Sequence, residues 1–231
     1  MQQLLLLHGA LGSAENFLSL SSFLQNDFDI HTLTFEGHGG KDIPENDFSI
    51  AQFAQEVIIY LDENKIDSIP IFGYSMGGYV GLYLAKHFPE RVSKLFTLAT
   101  KINWTKAGAA KDAGMLIPKV IIEKVPKYAA ALETLHGKSW QVLMQKTAQM
   151  MLDLGENPPL SSSDFGNITT SVLLSVGDKD ILVTVEETLA VFKTLSNAQL
   201  LVMPNTIHPI EKVVTTDLAF HLKSYFKNPN L

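Results

Sequence analysis

Cysteine is absent from the 231 residues, which excludes disulfides, thiol catalysis and cysteine-ligated metal. Arginine occurs once, at Arg91, so a chain built to clamp a polyanion with guanidinium groups is not expected. Positive charge is also in deficit: 18 Lys and Arg stand against 24 Asp and Glu, a net charge of −6. No basic cluster offsets that balance locally, which argues against nucleic acid or an anionic lipid surface as partner. Long apolar runs are missing too. Leu4 to Leu7 are followed at once by His8 and Gly9, far short of the roughly 20 residues of a membrane span. The same stretch lacks the basic start and longer core of a signal peptide, so a cytoplasmic protein is the expectation. Zinc-ligand spacing, a phosphate loop and a dinucleotide fingerprint are absent as well, and neither metal nor cofactor is expected. That leaves a small-molecule substrate as the expected partner, with the oligomeric state open.

What is present is a globular balance, with 46% hydrophobic and 18% charged residues. Short apolar runs at 3–7, 29–35, 70–74, 94–99, 172–176 and 199–203 alternate with longer stretches of helical period. The runs are continuous, as in strands buried on both faces, so the pattern predicts a parallel sheet covered by helices. Helices are predicted over 48–64, 77–88, 184–195 and 210–226. The first of these carries Ile50, Phe53, Ala54, Val57, Ile58 and Leu61 on one side. Residues 101–168 break the alternation: they hold no strand-like run and at least two amphipathic segments, the clearest over 139–154. A helical cap inserted at 101–168 into a core of 1–100 and 169–231 is the expected organisation.

The strongest local signal is Gly73-Tyr74-Ser75-Met76-Gly77, followed by Gly78. It lies between a buried strand and a small-residue helix, the setting of a nucleophile elbow. A serine in so tight a turn leaves no room for bulky neighbours two residues away. A glycine-rich strand-to-helix turn with an ordinary solvated serine is the bland alternative. Ser75 becomes a nucleophile only if a base takes its proton, and imidazole has the appropriate pKa. Of the seven histidines, His31 lies in a strand, His87 at a helix end, His136 in the cap and His221 in the last helix. His8 and His38 sit in loops near strand ends, and His8 is read as a brace for its loop. Only His208 lies in the loop after the last strand, where the base belongs. Asp178 and Asp180 follow the strand at 172–176. Asp178 is read as a turn cap and Asp180, deeper in the loop, as the carboxylate that orients the imidazole. The order Ser, Asp, His is then that of a triad on this kind of sheet. The backbone N–H groups of Ala10 and Met76 are the expected oxyanion donors.

The sequence resembles the α/β-hydrolase superfamily. The matching residues are His8-Gly9, Gly37-His38-Gly39, Gly73 to Gly78, Phe88-Pro89-Glu90-Arg91-Val92, the loop at 177–180 and His208. The resemblance implies a three-layer α/β fold with a mostly or wholly parallel six-stranded sheet, in the order 4-3-5-6-7-8 by family numbering. The two strands that often come first in the family are expected to be missing. Family spacing, with the carboxylate three residues after the glycine, favours Asp180 independently. Phe35 and Glu36 stand where the family usually has aspartate and proline before Gly-His-Gly. The activity implied is carboxylesterase-like hydrolysis of a small ester, thioester or amide through an acyl-enzyme. The alternatives are C–C hydrolysis, lyase or perhydrolase chemistry on the same triad, or a non-catalytic receptor. Apolar cap residues are expected to line the acyl pocket: Trp104, Met115, Leu116, Trp140, Met144, Met150 and Met151, with Leu11 from the oxyanion loop.

Overall fold

The structure is a computed structural model that describes residues 1–228. The chain runs β1 (Gln2–Leu7), α1 (Leu18–Leu24), β2 (Phe28–Leu33), α2 (Ile50–Glu63), β3 (Ile69–Tyr74), α3 (Met76–His87) and β4 (Val92–Leu98). Five helices follow: α4 (Lys106–Ala113), α5 (Pro118–Lys124), α6 (Pro126–His136), α7 (Trp140–Glu156) and α8 (Ser162–Gly166). The chain then returns through β5 (Ser171–Gly177), α9 (Val185–Phe192), β6 (Ala198–Met203) and α10 (Thr215–Lys227). Among the described residues, no helix is long and apolar enough to cross a membrane.

The six strands form one sheet in the order β2-β1-β3-β4-β5-β6, every neighbouring pair parallel. This is the expected order. Successive side chains of a strand point to opposite faces, so each apolar run feeds two cores. Leu5 and Leu7 join Ile71 and Leu95 beneath α2 and α3, while Leu4 and Leu6 join Phe72 and Phe96 beneath α1 and α10. Helices α4–α8 occupy the interval between β4 and β5 and contain no strand. Their apolar faces run into the first of these cores: Leu132, Trp140, Leu143, Met144 and Leu154 pack in one cluster with Phe48, Phe53 and Tyr79.

Three local differences from expectation have physical causes. β2 stops at Leu33, two residues early, because the Phe35 N–H bonds His8 Nε2 (3.1 Å) and leaves the ladder. The last helix starts at Thr215 and not at 210. A 3₁₀ turn at Ile210–Lys212 gives way to extended Val213 and Val214, β-branched residues that resist the helical turn. Helix α1 escapes the periodicity because it is only seven residues long. Its approach is marked instead by a capping box, in which Ser13 caps the turn and Asn16 bonds back to the Ser13 N–H.

Candidate active site

Ser75 sits between β3 and α3 with φ 51° and ψ −116°, a conformation that costs free energy in a residue with a Cβ. The turn is held from both sides. The Ser75 N–H donates to Leu98 O (2.8 Å) at the end of β4, and Ser75 O accepts from the N–H groups of Gly78 (3.0 Å) and Tyr79 (3.3 Å). The flanking glycines are required by close approach. A Cβ on Gly73 would lie 2.5 Å from Gly77 O, and one on Gly77 would run into the carbonyls of Leu7 and His8. The sequence reading of an elbow is therefore a statement about backbone packing as much as about the serine.

His208 reaches the same point from the loop after β6. Its carbonyl accepts a bond from the Tyr74 hydroxyl (2.9 Å), which fixes the loop over the elbow. Nδ1 lies 2.8 Å from Asp180 Oδ2 and Nε2 lies 3.3 Å from Ser75 Oγ. A carboxylate can only accept, so Nδ1 carries the proton and Nε2 is left as acceptor for the serine hydroxyl. Asp180 is almost wholly buried, its side chain 1% exposed, and its other oxygen accepts from the N–H groups of Leu182 (2.8 Å) and Val183 (2.9 Å). Those two bonds set the carboxylate's orientation. Asp178 faces elsewhere: its Oδ1 accepts from the Thr206 N–H (3.3 Å), tying the β5 loop to the β6 loop. It braces two loops where a local turn cap was expected.

Ala10 and Met76 flank Ser75 on the wall of one cavity. Among the described residues, neither backbone N–H is taken by a protein acceptor. Leu11, next to Ala10, has a left-handed backbone (φ 57°), and its carbonyl accepts from His136 Nε2 (2.9 Å) on α6. His136 Nδ1 in turn accepts from the Gly39 N–H (2.9 Å), so one buried imidazole ties the insertion to two loops of the sheet. Nothing in the sequence around His136 signals that link. His8 is wholly buried, donates from Nδ1 to Gly9 O (2.7 Å) and accepts at Nε2 from Phe35, the bracing part expected of it. Burial, aided by the neighbouring His38, holds its pKa well below the usual histidine value, and so it stays neutral.

Two spaces meet at Ser75. The inner one is a cavity of about 130 Å³, walled by Trp104, Met115, Leu116, Met150, Met151 and Leu154 among others. The outer one is a groove of about 780 Å³ bounded by Leu11, Tyr128, Leu132, Leu135 and Ile210. Trp104 thus lines the inner cavity and Leu11 the outer groove. Trp140 and Met144 line neither. They are 4% and 0% exposed and pack inside the cluster shared by the insertion and the sheet. Their place on α7 explains this. Trp140, Leu143, Met144 and Thr147 form a buried stripe on its first turns, and of this helix Met150, Met151 and Leu154, towards its C-terminal end, line the cavity that Ser75 also borders. Sequence reading also missed the paired Lys101 and Asp112 in the inner cavity (Nζ–Oδ2 2.9 Å).

Comparison with known proteins bears on this arrangement. The enol-lactonase from Burkholderia xenovorans superimposes with a TM-score of 0.78 at 16% identity, covering 98% of this chain and 92% of that one, a likeness of fold. Among curated sequences, the chain is 28% identical over 109 residues to 3-oxoadipate enol-lactonase 2 of Acinetobacter baylyi, which is 47% of this chain and 41% of that protein. It is 34% identical over 106 residues to the pimeloyl-[acyl-carrier protein] methyl ester esterase of Edwardsiella ictaluri, 45% of this chain and 38% of that protein. The chain thus spans less than half the length of these curated relatives. The family model described as alpha/beta hydrolase fold matches residues 3–120, from β1 through the elbow into the insertion. With that match over half of its length, the chain belongs to the α/β-hydrolase fold family.

Proposed function

We propose that the protein is a serine hydrolase that cleaves a small ester, thioester or amide through an acyl-enzyme on Ser75. The observation that carries this reading is the unbroken relay from Ser75 Oγ through His208 to a buried, doubly bonded Asp180, opening on an apolar cavity. Ser75 Oγ attacks the substrate carbonyl carbon while its proton passes to His208 Nε2. The carbonyl oxygen, now negative, is taken by the N–H groups of Ala10 and Met76. Asp180 stabilises the imidazolium, which then gives its proton to the departing alkoxide, thiolate or amine. Water enters and attacks the acyl carbon while His208 removes its proton; the C–Oγ bond then breaks, that proton returns from His208 to Ser75, and the acyl group leaves as a carboxylic acid.

The inner cavity suits an apolar acyl chain, and its methionines are adaptable walls. The outer groove suits the leaving group. Relatives named for enol-lactone and methyl ester chemistry support an ester-type bond, and one named as a putative 2-succinyl-6-hydroxy-2,4-cyclohexadiene-1-carboxylate synthase, 31% identical over 108 residues, supports the lyase alternative on the same triad. A non-catalytic receptor would have no use for the strained Ser75 backbone. The test is pre-steady-state hydrolysis of 4-nitrophenyl acyl esters. A burst of nitrophenol stoichiometric with enzyme, followed by slower turnover, is the expected sign of an acyl-enzyme. Turnover with an intact Ser75→Ala variant as fast as wild type would contradict it.

A further inference from the structure

Beyond Ser75, His208 and Tyr79, the inner cavity is apolar except at one place. Lys101, three residues beyond β4, and Asp112, on α4, meet there at 2.9 Å, their side chains only 19% and 14% exposed. Lys101 Nζ also lies 5.5 Å from the centre of the Trp104 ring, and Trp104 borders the same cavity. The indole N–H of Trp104 is buried without a protein acceptor among the described residues. A largely buried ion pair is a poor stabiliser compared with apolar packing, because both ions lose their water. Its presence on the wall of a substrate cavity therefore calls for another explanation.

We propose that Lys101, Asp112 and Trp104 form a recognition site for a neutral hydrogen-bonding group at the far end of the acyl chain, a carboxamide or a hydroxyl. This rests on the hydrolase reading of Ser75. The charges decide the class. An ammonium group has three N–H donors and a carboxylate has two oxygens, so their mutual contact leaves donors and acceptors to spare. A methyl end would desolvate those groups and give nothing back. A carboxylate end would gain Lys101 but sit against Asp112, a like charge in an apolar pocket. A carboxamide accepts from Lys101 or Trp104 through its oxygen and donates to Asp112 through its nitrogen, so it satisfies both sides of the pair. The chain between the two ends crosses the methionine wall.

The test uses 4-nitrophenyl esters of butanoyl to hexanoyl chains, each ending in methyl, carboxamide or carboxylate, with kcat/KM measured for each. At the fitting length the carboxamide ester is expected to exceed its methyl counterpart by about tenfold or more, because a site built for a polar group rejects the analogue lacking it. The carboxylate ester is expected to be the poorest of the three. Asp112→Asn leaves Lys101 without its counter-charge and is expected to raise the carboxylate ester above the carboxamide one, a reversal that a purely structural tie would not produce. In Lys101→Met/Asp112→Leu, which replaces both ions by apolar side chains, the carboxamide-to-methyl ratio is expected to fall to one or below. Equal or better turnover of methyl esters by wild type, with a full nitrophenol burst, would overturn the recognition site while leaving Ser75 as nucleophile. A preference of wild type for carboxylate ends would likewise overturn it. Absence of any Ser75-dependent turnover across the series would remove the hydrolase reading and this inference with it.

Discussion

At the residue scale, the site depends on a few contacts with separable consequences. Ser75→Ala removes the proposed nucleophile and Asp180→Asn removes the charge proposed to hold His208 in its tautomer; each is expected to lower kcat by about 10³-fold or more. Circular dichroism should meanwhile show Ser75→Ala folded, since the elbow is held by backbone bonds that the substitution leaves alone. Tyr74→Phe is a milder change. It frees the His208 carbonyl while leaving the imidazole bonds in place, and kcat should drop by about three- to tenfold, in line with the loss of one neutral hydrogen bond. A Tyr74→Phe variant as impaired as Asp180→Asn would mean that the hydroxyl has a part in the chemistry. These residues were legible to unequal degrees. Ser75 and its glycines announce themselves because the strained turn demands small residues at fixed local spacing. Asp180 was separable from Asp178 by loop position and by the family's spacing from the glycine, and its two backbone donors became visible only in the fold. Lys101 and Asp112 meet across a loop and a helix, and no spacing marks such a pair.

Among the elements, α7 is the instructive case. Its apolar stripe was plain from period alone, but periodicity tells which face is buried and not what buries it. The first turns meet α6 and the sheet side of the core, and the last turns line the cavity that Ser75 also borders. Substitutions along the one helix should therefore divide. Met144→Ala, at 0% exposure, should destabilise the protein by about 2–5 kcal/mol through an internal cavity, read by denaturant unfolding. Met151→Ala should leave the midpoint within about 0.5 kcal/mol of wild type and shift acyl-length preference toward longer chains. The reverse pattern would mean that the insertion is packed differently over Ser75. The strands were legible to within a residue or two: the four central ones are largely buried on both faces, which writes them as continuous apolar runs, and the edge strands β2 and β6, only half-buried, still read as short apolar runs. The ends were not, since β2 stops where His8, from another loop, captures the Phe35 N–H.

For the whole molecule, the buried histidines bind the layers together and give stability a pH dependence. His8, His38 and His136 cluster between the β1 loop, the β2 loop and α6, with Lys41 adding positive charge nearby. Burial is the main cause in all three: it holds His38 at about 4, His8 well below its usual value, and His136 lowered. The unfolded chain takes up protons at these positions as pH falls through about 6.5 while the native chain does not, so they destabilise the fold on the acid side. Glu56, bonded to the Glu36 N–H, works the other way. Burial raises it to about 7, so its contribution is present at low pH and is lost as pH rises from about 4.5 through 7. Three groups against one set the net sign. The Tm should fall between about pH 7 and pH 5, and His38→Leu should flatten that slope. A Tm that rises over the same interval would show Glu56 dominating.

The central claim is that Ser75 is an activated nucleophile, and intact-mass spectrometry after exposure to a small fluorophosphonate tests it most directly. Wild type should gain one adduct per chain and Ser75→Ala none. A wild-type chain that stays unmodified, or a Ser75→Ala chain that labels equally well, would contradict it.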